Sequence, residues 1–568
     1  MKKLPIFKSV YAAIAALLLV CWFSASSIFL FAASRENSGN DFSEIAKSID
    51  LFGDIYRELS ENYVEPLDVS ALMYAAIDGM LAALDPYTVF LDENQSEELG
   101  EITSGQYTGI GLSMTRFGDA IYVTSVLDGY PAWKAGIRTG DRVMRINGKP
   151  LNGRTLDKVR DMMKGLTGSR FTLQIERKGG AGPGTVSLVR EEVRVSTITY
   201  SGIIGSSGYL QLGSFSSHSS GDIRQAIEKL LREAEDRHQP LNGLILDLRG
   251  NPGGLLSAAV DISSLFVEKG STIVTIRGKK SESEKIYRTE QSPLAPTLPL
   301  AVLIDKESAS ASEIVSGAIQ DLDRGVVLGE RSYGKGLVQS VIRLPYDNTL
   351  KITTARYYTP SGRLIQKRHS DTLATRNVLK KIRERRTLPV YYTAGKRKVY
   401  GGGGIAPDVV IEAPERSAYE QELRRKGMLF LFASRYRAAH GDSSAYQQAY
   451  RARLMPAFNT FLGENRFSYT SASERQLQEV EKLIAGEMTD EKERTPKSLD
   501  SLRQELLQMK NRQIASESDR ISRLIEIEIM RHGNENVSRK AELGDDPVVQ
   551  KALSLLSDSK AYLRMLRP

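Results

Sequence analysis

A chain of 568 residues exceeds what one hydrophobic core accommodates, so three or four domains are expected. Its 41% hydrophobic and 26% charged residues are ordinary globular values, which exclude a wholly disordered or fibrous chain. The formal charge of +8 is small for the length and points to no nucleic-acid partner.

Lys2, Lys3 and Lys8 precede an apolar stretch from Val10 to Ala33 that carries no charge. That is the pattern of an export signal, with the basic flank held in the cytoplasm and the chain after about residue 34 outside. The stretch is long enough to span a bilayer, while Ser24, Ala25 and Ser26 would suit cleavage, so a removed signal and an inner-membrane anchor both stay open. Cys21, the single cysteine, falls inside it, which leaves the exported part without disulfides.

Phe42, Ile45, Ile49, Phe52, Tyr56 and Leu59 recur at helical spacing, as do Met73, Ile77, Met80 and Leu84. Asp85-Pro86 stops the second of these helices. From about Tyr107 the pattern changes to short strands with frequent glycine. The run Y-T-G-I-G-L-S-M is followed by A-G-I-R-T-G-D-R-V-M-R-I-N-G and by a helix capped by Thr155. Together these resemble a PDZ domain. The resemblance implies that the loop Gly109, Ile110, Gly111 and Leu112 captures a terminal carboxylate while a peptide adds as a strand beside Leu112 to Thr115. The ligand would be an apolar C-terminal tail.

Beyond residue 193 strands and helices alternate, the mark of an α/β domain. Strand Leu244 to Leu248 runs into R-G-N-P-G-G at Arg249 to Gly254 and then a helix, a turn whose amides suit an anion. Between Arg376 and Lys398 nine Lys/Arg stand against one Glu, in a polar stretch from 367 to 404 that reads as an insertion. Ile405 to Ile411 reads as a closing edge strand. The last 150 or so residues carry helical stripes, with Ser473 as one expected cap and Asp546-Pro547 opening the fourth helix. Docking or assembly, homo-oligomerisation included, is the expectation for this extension.

The apolar run Leu300 to Ile304 ends in S-A-S-A-S-E-I, and Lys335 follows between Gly334 and Gly336. A serine at a helix start with a lysine nearby is a candidate nucleophile and base. Ser310 and Glu313 also fit the S-x-x-E capping box, in which the hydroxyl does no chemistry. The stretch Gly329 to Lys335 fits G-x-x-x-x-G-K, but Gly336 replaces the hydroxyl residue a phosphate loop needs for Mg²⁺. His218, His238, His369, His440 and His532 have neither a strand-end setting nor paired metal-ligand spacing. Lysine is therefore the base to consider. A lysine base needs its pKa lowered by roughly three units, a differential cost near 4 kcal/mol that burial can supply.

S-A-S-A-S-E-I, G-K-G-L-V-Q, D-L-R-G-N-P-G-G, the PDZ-like region and Y-Y-T-P-S-G-R-L-I-Q together resemble the carboxyl-terminal processing peptidases, or tail-specific proteases, over about Phe42 to Ile411. The resemblance implies Ser310 as nucleophile, Lys335 as general base and Gln339 as its orienting partner. It also implies oxyanion donors among the amides of Gly253, Gly254 and Ala311, and no metal or cofactor. Asp321 matches a position of functional weight in some members. Lying eleven residues along a helix, about 16 Å from Ser310, it is read as structural, as is Glu313. Lys164 stands where many relatives carry arginine, which keeps charge and gives up bidentate pairing.

The expected organisation is a signal or anchor over 1–34, a helical segment over 35–103, a PDZ domain over 104–192, a serine peptidase core over 193–412 with its insertion at 367–404, and a helical extension over 413–568. The fold class is multidomain α/β. The expected activity is an exported, periplasmic or membrane-bound serine endopeptidase acting on proteins from their C-terminal tails. A membrane-tethered PDZ adaptor with an inactive peptidase fold is the alternative.

Overall fold

The computed structural model describes residues 42–177, 179–180, 184–279, 283–367, 388–441, 451–487 and 497–567. The expected export segment and most of the basic stretch at 376–387 lie outside the described residues. Among the described residues no helix is long and apolar enough to cross a membrane. The chain divides into two compact units, Met1–Phe90 and Leu91–Pro568.

In the first unit a helix covers residues 42–62 and a second covers Val69–Ala82. Asp68 caps the second by accepting the Ala71 amide, and Tyr56 Oη donates to the Val69 carbonyl at 2.7 Å, joining the pair. After the second helix, Asp85 Oδ1 accepts the amides of Tyr87 and Thr88, an Asx turn that sharpens the stop expected at Asp85-Pro86.

The second unit begins with the helix Glu93–Ser104, closed by a capping box at Asp92 and Gln95. A five-strand path follows, Leu112–Phe117, Ala120–Val126, Arg142–Ile146, Arg170–Glu176 and Gly184–Val189, paired in that order, with helix Leu156–Met163 against it. Thr155 caps this helix as its sequence predicts. Val123, Ile146, Val159 and Leu173 are fully buried between helix and sheet. Buried Asp141 holds Arg177 through both carboxylate oxygens at 2.6 and 2.7 Å. Gln106–Gly109 pairs with Glu191–Arg194, so entry and exit of this domain run side by side.

The peptidase sheet runs Ile198–Ile204, Ser207–Leu212, Gly243–Asp247, Leu300–Ile304, Val326–Gly329 and Val409–Val410. Its first pair is antiparallel and the others parallel. Strands Gly243–Asp247 and Leu300–Ile304 are buried along their whole length, which is why they read as unbroken apolar runs. Val409–Val410 forms the edge expected of residues 405–411.

One face of the sheet packs on helices Ser219–Asp236, Leu256–Ser264 and Ala311–Asp321. The other face, with Tyr209, Ile245, Ala301, Leu303, Val326 and Leu328, is covered by the chain's last helices, Pro547–Ser557 and Ser559–Met565. Each Val or Leu buried there is worth about 1.5–3 kcal/mol. The C-terminal helices thus form a layer of the sheet's own core. Tyr562 ties them further: its hydroxyl accepts the Leu300 amide at 2.9 Å and lies 3.1 Å from the Leu300 carbonyl.

Helices Ala418–Arg425, Met428–His440, Arg451–Glu464 and Ser518–Arg531 form a separate apolar cluster around Phe432, Phe458 and Phe461. Phe430 reaches from it to Phe117 and Tyr122, ring centroids 5.3 and 6.2 Å away. The helix Ala472–Glu487 is capped by Ser471, two residues before the expected Ser473, because Glu474 completes the reciprocal box with Ser471.

Candidate active site

Strand Leu300–Ile304 delivers the chain to a turn that Asp305 shapes. Its Oδ1 accepts the amides of Glu307 and Ser308, each at 3.0 Å. Ser308 Oγ donates to the Leu248 carbonyl, and Ser312 Oγ to the Asn251 carbonyl, both at 2.9 Å. Two of the three serines are therefore spent on lacing this turn to the R-G-N-P-G-G turn. Ser310 lies between them, half-buried, at the N-terminus of helix Ala311–Asp321.

Its backbone has φ 54° and ψ −110°, a conformation L residues seldom adopt. Such strain, on the order of 1–3 kcal/mol, persists where the surroundings over-determine it. Here they do. The Ser310 amide donates to Glu313 Oε2 at 2.8 Å, and the Ser310 carbonyl accepts the amides of Glu313 and Ile314 at 2.9 and 3.0 Å. The Glu313 side chain on the Ser310 amide forms the S-x-x-E capping box that the spacing allows.

Glu313 is fully buried, and four donors converge on it. Oε1 accepts Ser332 Oγ at 2.6 Å and the Gly334 amide at 2.7 Å; Oε2 accepts the amides of Ser310 and Lys335 at 2.8 and 2.9 Å. Burial pushes the carboxyl's pKa up, and the hydrogen bonds from Ser332, Lys335, Gly334 and Ser310 oppose it. Ser332 Oγ accepts the Ile405 amide and donates its own proton to Glu313 Oε1. The carboxylate is the form that satisfies all four donors.

One oxygen shared by the amides of Ser310 and Lys335 puts those nitrogens within about 6 Å of each other, since the bonds are 2.8 and 2.9 Å. A second tie joins the same residues. Buried Tyr357 Oη lies 2.6 Å from the Lys335 carbonyl, to which it donates, and 3.1 Å from that of Ser310. Lys335 itself is half-buried, and Nζ donates to Gln339 Oε1 at 3.0 Å. The flanking glycines allow this packing: a Cβ at Gly336 would stand 2.8 Å from the Gln366 amide, and Gly334 has φ 91°.

The R-G-N-P-G-G turn meets the serine directly, for a Cβ at Gly253 would lie 3.0 Å from Ser310 Cβ and 2.9 Å from the Ala311 amide. The Gly253 amide donates to Asn251 Oδ1 at 2.8 Å and is occupied. Among the described residues the amides of Gly254 and Ala311 meet no acceptor. Asp321 ends the helix in a buried ion pair with Arg363 at 2.7 Å and accepts the Ser361 amide at 3.0 Å, away from the serine.

Gly109 closes a strand, Gly111 adopts φ 73°, and Leu112 opens the edge strand of its sheet. The Tyr107 ring covers Gly109; burial pushes this phenol's pKa up, and the nearby Gly111 backbone opposes it. Lys164 pairs with Glu97 at 2.8 Å. Tyr357 and the four-fold role of Glu313 escaped sequence reasoning. The sole trace of the first was the doubled tyrosine in Y-Y-T-P-S-G-R.

Residues 206–372 match peptidase family S41, 122–177 a PDZ domain, 14–95 the N-terminal domain of the activating protease CtpB, and 419–556 the C-terminal helical domain of a probable PDZ-protease. The chain is a serine-type peptidase with a PDZ domain. The carboxy-terminal-processing protease of Bartonella bacilliformis is 34% identical over 400 residues, 70% of this chain and 82% of that protein. A probable CtpA-like serine protease of Staphylococcus aureus is 34% identical over 55% of this chain, which spans 61% of that protein's length. The photosystem II D1 C-terminal processing protease aligns at 30% identity and a TM-score of 0.33, over 63% of this chain and 86% of that one. The chain belongs to the carboxy-terminal-processing proteases of peptidase family S41.

Proposed function

We propose that the protein is an exported endopeptidase that hydrolyses peptide bonds with Ser310 as nucleophile and Lys335 as general base. Ser310 Oγ attacks the scissile carbonyl as neutral Lys335 takes its proton, and the amides of Gly254 and Ala311 receive the oxyanion. The C–N bond then breaks, and Lys335 returns the proton to the leaving amine. Water, deprotonated by Lys335 in turn, resolves the acyl-enzyme. Gln339 offers Lys335 a neutral acceptor and so orients the amine without holding its proton. A carboxylate in that place would favour the ammonium.

Substrates are unstructured polypeptides with apolar C-terminal tails, which add as a strand beside Leu112. Their terminal carboxylate is received by the backbone amides of the loop Gly109 to Leu112. The observation that carries the reading is the double tie of Ser310 to Lys335, through Glu313 Oε2 and Tyr357 Oη. It brings the two residues together from opposite ends of a 25-residue interval and fixes both backbones.

The test is incubation of purified protein with an unstructured polypeptide bearing such a tail, free or amidated. Fragments from wild type and none from Ser310→Ala or Lys335→Ala are expected, with slower cleavage of the amidated tail. Turnover by Ser310→Ala would remove the nucleophile assignment. Equal cleavage of both tails would remove the carboxylate step.

A further inference from the structure

The C-terminal helices reach the oxyanion turn through a charged contact. Arg249 stands immediately before Gly250-Asn251-Pro252-Gly253-Gly254. Its guanidinium folds back on buried Asp247: Nε donates to Oδ1 and Oδ2 at 2.9 and 3.0 Å, and Nη2 to Oδ2 at 2.5 Å. Tyr209 Oη also donates to Oδ2, at 2.5 Å, and the Arg249 amide to Oδ1 at 2.9 Å. Arg249 Nη1 points the other way and donates to Asp546 Oδ2 at 2.7 Å, across 297 positions of sequence.

Asp546 is itself anchored. Its Oδ1 accepts the amides of Val548 and Val549 at 2.9 and 3.1 Å, capping the helix Pro547–Ser557 that covers the sheet. On the chain's other side Asp545 pairs with Arg523 of the helix Ser518–Arg531 at 2.7 Å. The catalytic side holds the turn by different means, the Gly250 amide on Asp305 at 3.0 Å and Asn251 Nδ2 on the Leu212 carbonyl at 2.8 Å. The two sets of contacts meet at the start of the same short turn, on the consecutive residues Arg249, Gly250 and Asn251.

We propose that Asp546 is a positioning residue for peptide-bond hydrolysis. Its charge fixes the Arg249 guanidinium, and with it the placement of the Asn251–Gly254 turn whose Gly254 amide faces the developing oxyanion. The helical extension therefore sets kcat as well as covering the sheet. This rests on the assignment of Ser310 and of the Gly254 amide made above.

The test compares Asp546→Asn, Asp546→Glu and Asp558→Asn in the full chain. Asparagine caps a helix as well as aspartate, so Asp546→Asn removes the charge and keeps the cap. Asp558 caps the next helix through the Lys560 and Ala561 amides and serves as the control. Three quantities are read: kcat and KM on a tail-bearing polypeptide, melting temperature, and amide hydrogen exchange over residues 248–256. Asp546→Asn is expected to lower kcat about tenfold with KM within about twofold, and to speed exchange in that segment. Asp546→Glu is expected to restore part of the loss, and Asp558→Asn to leave kcat and exchange at wild-type values. Unchanged exchange or unchanged kcat in Asp546→Asn overturns the proposal, as does an equal loss in Asp558→Asn. Hydrolysis that persists in Ser310→Ala overturns the nucleophile assignment instead, and the exchange comparison then decides the tether by itself.

Discussion

Glu313→Gln is the sharpest perturbation of the site, because it changes neither shape nor volume and reverses the role of one atom. Each carboxylate oxygen accepts two donors, Ser332 Oγ and the Gly334 amide on Oε1, the Ser310 and Lys335 amides on Oε2. Whichever position the new NH₂ takes, two buried donors lose their acceptor and face a third donor. An unsatisfied buried donor costs about 1–3 kcal/mol, so the variant should lose about 2–6 kcal/mol of stability. The strain held at Ser310 should relax as well, since its amide is one of the four. A displacement of about 1 Å between reacting groups costs on the order of 10²-fold in rate. Thermal melting and steady-state hydrolysis of a tail-bearing polypeptide should therefore show a lower melting temperature, with kcat down by about two orders of magnitude and KM little changed. An E313Q enzyme with wild-type kcat and melting temperature would refute the reasoning, for it would mean that the buried group is a protonated acid which glutamine imitates.

Tyr357→Phe removes the hydroxyl bound to the Lys335 carbonyl and keeps the ring. Stability should fall by about 1–3 kcal/mol and kcat by more than KM rises; unchanged kcat would show that the Glu313 tie suffices. Asp321→Asn leaves the fully buried Arg363 charge uncompensated and should cost about 3–5 kcal/mol in chemical denaturation. Its kcat in the folded fraction should stay near wild type, and a selective loss of kcat would give Asp321 a direct part in the chemistry. Burial lowers the His532 imidazole to about 4 from its ordinary 6.5, with the Arg437 and Arg531 charges adding to the shift and the Glu528 carbonyl opposing it. Between those values the unfolded chain binds the proton more tightly, so the contribution to stability is full above about pH 6.5 and is lost as pH falls toward 4, by up to about 3 kcal/mol. Melting temperature against pH should accordingly be flatter over this window in His532→Leu; a slope identical to wild type would contradict the buried neutral ring.

The parts of the site that were legible in the sequence are those that local chemistry dictates. Ser310 was marked by a buried strand running into small residues and a helix, Lys335 by its two glycines, and the proposed oxyanion turn by Gly253 and Gly254. The acceptors that fix them were not legible. Glu313 read as half of a capping box because S-x-x-E has the same spacing whether the carboxylate serves one amide or four donors. Tyr357 acts across 22 residues from Lys335 and 47 from Ser310, in a strand whose alternation reveals burial and not what the hydroxyl touches. Asn251 offered an ordinary turn residue, and its claim on the Gly253 amide depends on a side-chain rotamer. The extension from 413 read as a charged appendage because nothing local names what the apolar faces of Pro547–Ser557 and Ser559–Met565 pack on. Their partner strands lie more than 200 residues earlier, as the 262-residue reach of Tyr562 to Leu300 illustrates.

A double-mutant cycle on kcat/KM, with Ser310→Ala, Lys335→Ala and the pair together against one tail-bearing polypeptide, tests the central assignment most directly. If the two side chains work as one nucleophile and base, each single variant loses about as much as the double, because either loss disables the same step. Additive losses, or a Lys335→Ala enzyme within about tenfold of wild type, would contradict it and require another base for Ser310.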